Sequence, residues 1–421
     1  MPLVDMKDLM QHAYQNRYAV GAFEVAGLDS LDSILAAAER CRAPVILNLA
    51  LHGNMSSELE VIMPAVEAAA RRSEIPVAIH LRCEADTLAV TEAIRLGANS
   101  VGIADMPGAF HEQVRHTRAS VELAHGCGVP LEARIGAVRS PPGAGSDQGG
   151  SGGSLPTTTE VCAFLSKSEV DFLSLTIPCN RQSGKDKPKL EWRRLKEIGT
   201  SCGLPLAIEV GEALTEDQYH KLISLGVAKI SDESAITGCM DGALRTTGRT
   251  ATKDYDGYRA RARATILEEV ERCLRMWGAA GRAAEVNAQC RPWLNAEHLL
   301  LFSFRSQDEA RQRALLQEGR DCLSTIPGVR GVELGSVFED GSRYQYYWRV
   351  RVSHSEVLDG LQRHAVYADC MDGIMQSAAA DSLGGDYQVA VVTSEARVLP
   401  HCTAPESDSG RVLAWLGNKP A

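Results

Sequence analysis

No apolar run in this 421-residue sequence approaches the roughly 20 residues that a membrane-spanning helix requires. The start, Met1-Pro2-Leu3-Val4-Asp5, shows neither the charged n-region nor the apolar h-region of an export signal. Twelve cysteines are scattered without a single Cys-x-x-Cys pair, which excludes a zinc ribbon or a dithiol redox motif. They read as reduced, mostly core thiols, and the expected setting is cytoplasmic. Positive charge is in short supply: 44 Lys and Arg face 54 Asp and Glu, a net charge of −10. Neither nucleic acid nor an anionic membrane is then expected as the main partner.

What is present is enough for a large core, since 44% of the residues are hydrophobic. The length suggests two or three domains. One stretch organises the first of them. Pro76-Val77-Ala78-Ile79 is a buried-strand pattern, and it hands over directly to His80, Arg82, Cys83 and Glu84. An apolar run ending in reactive groups is how a parallel α/β barrel presents chemistry at the C-terminal ends of its strands.

The same beat recurs along the chain. Candidate strands are Tyr18–Val25, Pro44–Ala50, Pro76–Leu81, Ser100–Ala104, Pro130–Ile135, Asp171–Ile177, Pro205–Val210 and Ala228–Ser231. Helical patterns lie between them, among them Leu28–Arg40, Glu58–Arg71, Thr87–Leu96 and His111–His125. Gly97-Ala98-Asn99, Gly128-Val129-Pro130 and Gly203-Leu204-Pro205 mark turns from a helix back to a strand. Eight such repeats predict a (β/α)8 TIM barrel over 1–285. A doubly wound sheet would place a glycine-rich phosphate turn after the first strand, and Glu24-Val25-Ala26-Gly27 is not one. Ser140–Ser154, rich in Gly and Ser, leaves from the fifth strand and fits either a lid over the mouth or a surface insertion.

After a charged helical stretch, Thr252 to Glu285, and a linker over 286–296, the order changes. Strand (from His298), helix (Gln307–Ile326), strand (Val329–Phe338), strand (Gln345–Ser353), helix (Glu356–Ala378) and strand (Gln388–Thr393) follow. That βαββαβ order predicts a ferredoxin-like α+β domain over 297–397, with 398–421 expected as a mobile tail.

The framework of the first domain resembles the class II (zinc-dependent) ketose-bisphosphate aldolases. The carriers are Tyr18-Ala19-Val20-Gly21-Ala22-Phe23, Ala93-Ile94-Arg95-Leu96-Gly97-Ala98-Asn99, Leu131-Glu132-Ala133-Arg134-Ile135-Gly136 and Leu225-Gly226-Val227-Ala228-Lys229-Ile230. The departures fall on the chemistry. The family's third strand ends His-Leu-Asp-His-Gly, with an acid/base Asp and a zinc-binding His. Here His80 and Leu81 stand, followed by Arg82 and Cys83. Of the family's Glu-x-Glu-Leu-Gly, the first Glu is Glu132 and the second is Arg134. The zinc-binding His after the sixth strand aligns with Arg181. The His-Gly-Gly-Ser-Gly that holds zinc and phosphate becomes Glu209-Val210-Gly211-Glu212-Ala213.

An arginine has no lone pair for a metal, and Glu212 sets a negative charge where a phosphate would lie. The expectation is therefore a mouth without the family's zinc, in which only Cys83 and Glu209 remain as donors at the old ligand places. Arg82, Arg134 and Arg181 would hold an anionic carbonyl compound and stabilise its enolate, with Glu209 or Glu132 moving the proton. His80, Cys83, Glu24 and Glu212 would complete the binding surface. Two alternatives stay open: a non-catalytic metabolite- or partner-binding barrel, and cofactor-free cyclase chemistry in the second domain. That domain resembles the stress-responsive dimeric α/β-barrel (Dabb) group, through His298-Leu299-Leu300-Leu301-Phe302, Ile326-Pro327-Gly328-Val329 and Leu361-Gln362-Arg363-His364-Ala365-Val366-Tyr367. The resemblance implies a homodimer or higher homo-oligomer.

Overall fold

The computed structural model describes residues 3–51, 56–104, 109–135, 155–176, 190–210, 214–248, 255–305, 308–336 and 342–388. Eight parallel strands close on themselves in chain order: β1 (Val20–Glu24), β2 (Val45–Ala50), β3 (Val77–Cys83), β4 (Ser100–Ile103), β5 (Leu131–Ile135), β6 (Phe172–Thr176), β7 (Leu206–Val210) and β8 (Val227–Asp232). This is a TIM barrel. Strands covered on both faces read as apolar runs rather than alternations, and Val-Ile-Leu of β2 and Val-Ala-Ile of β3 are of that kind.

Helices α1 (Met6–Gln15), α2 (Leu28–Cys41), α3 (Ser56–Arg72), α4 (Thr87–Leu96), α5 (Phe110–Gly126), α6 (Thr158–Ser168), α7 (Trp192–Cys202) and α8 (Glu216–Ser224) surround it. Their ends follow local chemistry. Asp5 caps α1 by accepting from the amides of Lys7 and Asp8, and Thr157 with Glu160 forms a capping box at α6. Gly97 ends α4 in the left-handed region at φ 109°. After β8 come α9 (Glu233–Gly248), α10 (Tyr255–Met276), which packs along α2, and α11 (Ala283–Gln289). The sequence had no separate expectation for α9, and α11 overlaps the start of the expected linker.

The chain then forms a four-stranded antiparallel sheet, ordered β10-β11-β9-β12. Its parts are β9 (Ala296–Phe304), α12 (Glu309–Leu323), β10 (Val329–Ser336), β11 (Tyr346–Val352), α13 (Ser355–Leu361), α14 (Ala365–Ala378) and β12 (Ala379–Gln388). One expectation is corrected here. The helix over Glu356–Ala378 is two helices, interrupted at Gln362–His364. β12 runs over Ala379–Gln388, following α14 without a loop; of the strand expected over Gln388–Thr393, residues 389–393 lie outside the described residues. Residues 398–421 lie outside the described residues.

The sheet meets the barrel at the end where helices turn back into strands. Arg95 donates to the Ser324 carbonyl (2.6 Å), Ser353 Oγ to the Cys127 carbonyl (2.8 Å), and Arg330 pairs with Glu67 (2.7 Å). Leu3 bridges to Val77 and Val4 to Pro292 at the same end. This is the N-terminal end of the strands, opposite the end where a TIM barrel carries its chemistry. No helix among the described residues is long and apolar enough to cross a membrane.

Candidate active site at the barrel mouth

A cavity of about 410 Å³ opens at the C-terminal ends of the strands, bounded by Glu24, Arg82, Cys83, Glu132, Arg134 and Glu209. Strand geometry explains the gathering. Side chains two residues apart lie on one face, so His80 and Arg82 on β3, and Glu132 and Arg134 on β5, project in pairs at two depths.

The upper layer is a bridge of charges. Arg82 donates through Nη2 to Glu24 Oε2 (3.2 Å) and through Nη1 to Glu209 Oε1 (3.4 Å). Arg134 reaches the same Glu209 oxygen. Asn48 Nδ2 also donates to Glu24 Oε2, at 3.2 Å. Both guanidiniums are permanently charged and present planar forks suited to a carboxylate.

The lower layer is fully buried. Lys229 Nζ donates to Glu132 Oε2 at 2.7 Å, and His80 Nε2 lies 4.0 Å from Glu132 Oε1. His80 Nδ1 and Ser100 Oγ are 2.9 Å apart. Burial, with the Lys229 charge beside it, drives the imidazole down to about 3, so His80 is neutral at physiological pH. Burial lowers Lys229, and Glu132 works against that shift. Burial alone would raise Glu132, but Lys229 outweighs it and holds the carboxyl below its ordinary value.

Six of the expected residues therefore meet around one cavity: Glu24, Arg82, Cys83, Glu132, Arg134 and Glu209; the seventh, His80, lies beneath it, fully buried beside Glu132. Arg181 and Glu212 lie outside the described residues. Cys83 lines the cavity as a buried thiol whose pKa burial raises to about 12, which leaves little thiolate. Asn48, Ser100 and Gly102 also belong to the site and do not stand out in the sequence. The available signal was weak: one polar residue in the apolar run Val-Ile-Leu-Asn-Leu-Ala, and small residues on β4 in register with His80 and Arg82.

The fructose-bisphosphate aldolase class-II family matches residues 4–282. A probable fructose-bisphosphate aldolase of Bacillus subtilis is 32% identical over 289 residues, covering 67% of this chain and all of that protein. A fructose-bisphosphate aldolase of Staphylococcus aureus matches to the same extent. The chain belongs to the class II fructose-bisphosphate aldolase family. Its activity class is that of an aldolase-type carbon–carbon lyase. Among solved structures, the YdjI aldolase of Escherichia coli K12 superposes with a TM-score of 0.58 at 20% identity, over 67% of this chain and 99% of that one. The fructose-bisphosphate aldolase of Campylobacter jejuni gives 0.54 at 14% identity, over 66% and 96%. These two share the fold. Among the described residues, no three His, Cys, Asp or Glu side chains are grouped to hold a metal ion.

Proposed function

We propose that this family member makes or breaks a carbon–carbon bond beside the carbonyl of an anionic, carboxylated substrate, without the family's zinc. The observation that carries the reading is the convergence of Arg82 and Arg134 with Glu24, Glu132 and Glu209 on one cavity. Zinc asks for three or four imidazole, thiolate or carboxylate donors. The donors at the old ligand places do not fit it: the Cys83 thiol is held protonated, and Glu209 lies against two guanidiniums. In this reading the arginines hold the carboxylate and the developing enolate. Arg181 adds a third positive group, and Glu209 or Glu132 moves the proton. Glu212 argues against a bisphosphate, which separates this chain from what its relatives are named for. A cytoplasmic setting belongs to the same reading, supported by ten free thiols among the described residues.

We further read 297–397 as a ferredoxin-like domain of the Dabb group that pairs the protein into a homodimer; the sheet order β10-β11-β9-β12 supports this. Within it His298 joins Asp386 (2.5 Å) to Tyr367 (3.0 Å). That oriented trio is the observation favouring cyclase chemistry as a second reading.

The test is metal content by plasma mass spectrometry, with aldol and retro-aldol activity followed by NMR on a panel of 2-oxo acids before and after chelation. The expected outcome is no tightly held metal and activity that survives the chelator. In the same assay, Arg134→Ala and Glu209→Ala should each lower kcat/KM by about 100-fold or more. One zinc per chain, with activity lost on chelation, would overturn the zinc-free site. No metal and no activity in any form would leave a binding barrel.

A further inference from the structure

Beneath the arginine layer, two buried polar atoms face each other across a gap. Glu132 commits Oε2 to Lys229, and its Oε1 stands 4.0 Å from His80 Nε2. That nitrogen has no hydrogen-bond partner among the described residues, although the ring is 0% exposed. An orphaned nitrogen in a closed interior calls for an occupant. The gap is too long for a direct hydrogen bond, and one oxygen about 2.8 Å from each atom would bridge it. Gly102 keeps the place open. It lines the cavity beside Glu132, and a Cβ there would stand 2.6 Å from His80 Nε2.

We propose, resting on the lyase reading above, that His80 and Glu132 bracket a single substrate hydroxyl, and that Glu132 is the acid–base group at that hydroxyl. The ring chemistry supports the assignment. His80 is neutral, so one of its nitrogens carries hydrogen and the other accepts. With the Ser100 hydroxyl donating to Nδ1, Nε2–H donates into the gap. A substrate hydroxyl then accepts from Nε2 and donates to Glu132 Oε1. In the cleavage direction its proton passes to Oε1 and the O–H electron pair becomes the carbonyl of the leaving aldehyde. The carbon–carbon bond breaks, and its pair moves to the α-carbon as an enolate held by the arginines. The reverse step returns the proton from Glu132 to the alkoxide. Lys229 touches no substrate; it is a positioning residue that fixes Oε2 and so aims Oε1. The assignment separates two jobs: the hydroxyl side belongs to the buried layer, the enolate side to Arg82 and Arg134.

The experiment measures both jobs on the full chain. Cleavage is followed with 4-hydroxy-2-oxobutanoate, which yields formaldehyde and pyruvate. Enolisation is followed as deuterium exchange at the methyl group of pyruvate in D2O. In Gly102→Ala, which fills the gap without changing a charge, and in Glu132→Gln/Lys229→Met, the ratio of cleavage to exchange should fall about 30-fold or more. Ser100→Ala should lower the same ratio by about 10-fold, through loss of the Nδ1 donor. Should the double variant fail to fold, Gly102→Ala and Ser100→Ala decide. An unchanged ratio in a folded variant overturns the bracket and leaves the lyase reading standing. A wild type that neither cleaves nor exchanges removes the lyase reading itself, and the bracket with it.

Discussion

At the scale of single residues, the mouth consists of charges that depend on one another. Lys229 and Glu132 are both fully buried and 2.7 Å apart. Removing one partner strands the other's charge in a low-dielectric interior, which costs about 3–5 kcal/mol, whereas removing both together costs far less. Glu132→Gln should therefore lower the urea midpoint sharply, and Glu132→Gln/Lys229→Met should recover most of the loss. Equal midpoints for the single and double variants would show that the pair is not coupled. The participants were unevenly legible in the sequence. Arg82, Arg134 and Glu209 stand out because each is polar near the end of an apolar strand, and His80 and Glu132 because each interrupts one. Their pairing does not, because Arg82 meets Glu24 across 58 positions of chain and only barrel closure brings them together. Lys229 reads as an ordinary buried lysine until Glu132 is seen against it. Gly102 carries no chemical label at all; its meaning lies in the imidazole beside it.

At the scale of elements, the junction between barrel and C-terminal sheet is built on one turn and one carboxylate. Gly97 closes α4 at φ 109°, and a Cβ there would stand 2.3 Å from Arg330 Nη2. Gly97→Ala should therefore destabilise by more than the about 1 kcal/mol of a left-handed alanine alone, since Arg330 must also leave Glu67. A loss of 1 kcal/mol or less in chemical denaturation would mean that the arginine yields freely. Glu67 accepts from Arg330, Arg71 and Asn295. Burial would raise its pKa, but Arg330 and Arg71 hold it at about 2 against an ordinary 4.5. A depressed carboxyl stabilises fully above its ordinary value, and that contribution is lost as pH falls from about 4.5 towards 2. Stability of the wild type should therefore fall more steeply across that window than that of Glu67→Gln; parallel curves would contradict the assignment. The barrel strands were legible because Gly-Ala-Asn and Gly-Val-Pro turns bound them. β12 was not, because Ser377-Ala378-Ala379-Ala380 continues a helical pattern, and only pairing with β9 makes its second half extended.

At the scale of the whole molecule, the position of the second sheet decides what it can do. It touches the barrel through the turns at Gly97 and Cys127 and through Glu67, at the end away from the cavity. Among the described residues it therefore does not cover the mouth of its own chain, and its role follows from its other surface. Helices α12 and α13 lie against the face that carries Phe302, Trp348 and Val350. On the opposite face, Leu383, Leu301 and Tyr347 form a row across β12, β9 and β11, and Leu383 is 54% exposed. Beside that row, Glu297, Arg349, Glu333 and Arg351 alternate in sign. In the proposed homodimer this apolar row, flanked by charges of both signs, is the surface that meets its copy across the two-fold axis. Leu301→Lys/Leu383→Lys should convert the proposed homodimer to a monomer in light scattering. Because the mouth lies at the far end, the monomer should keep the aldolase activity of the wild type within about twofold, as expected of distant sites without shared partners. Dimers that persist would place the two-fold axis elsewhere. Activity lost together with the dimer would mean that the partner's sheet, not this chain's own, reaches the mouth.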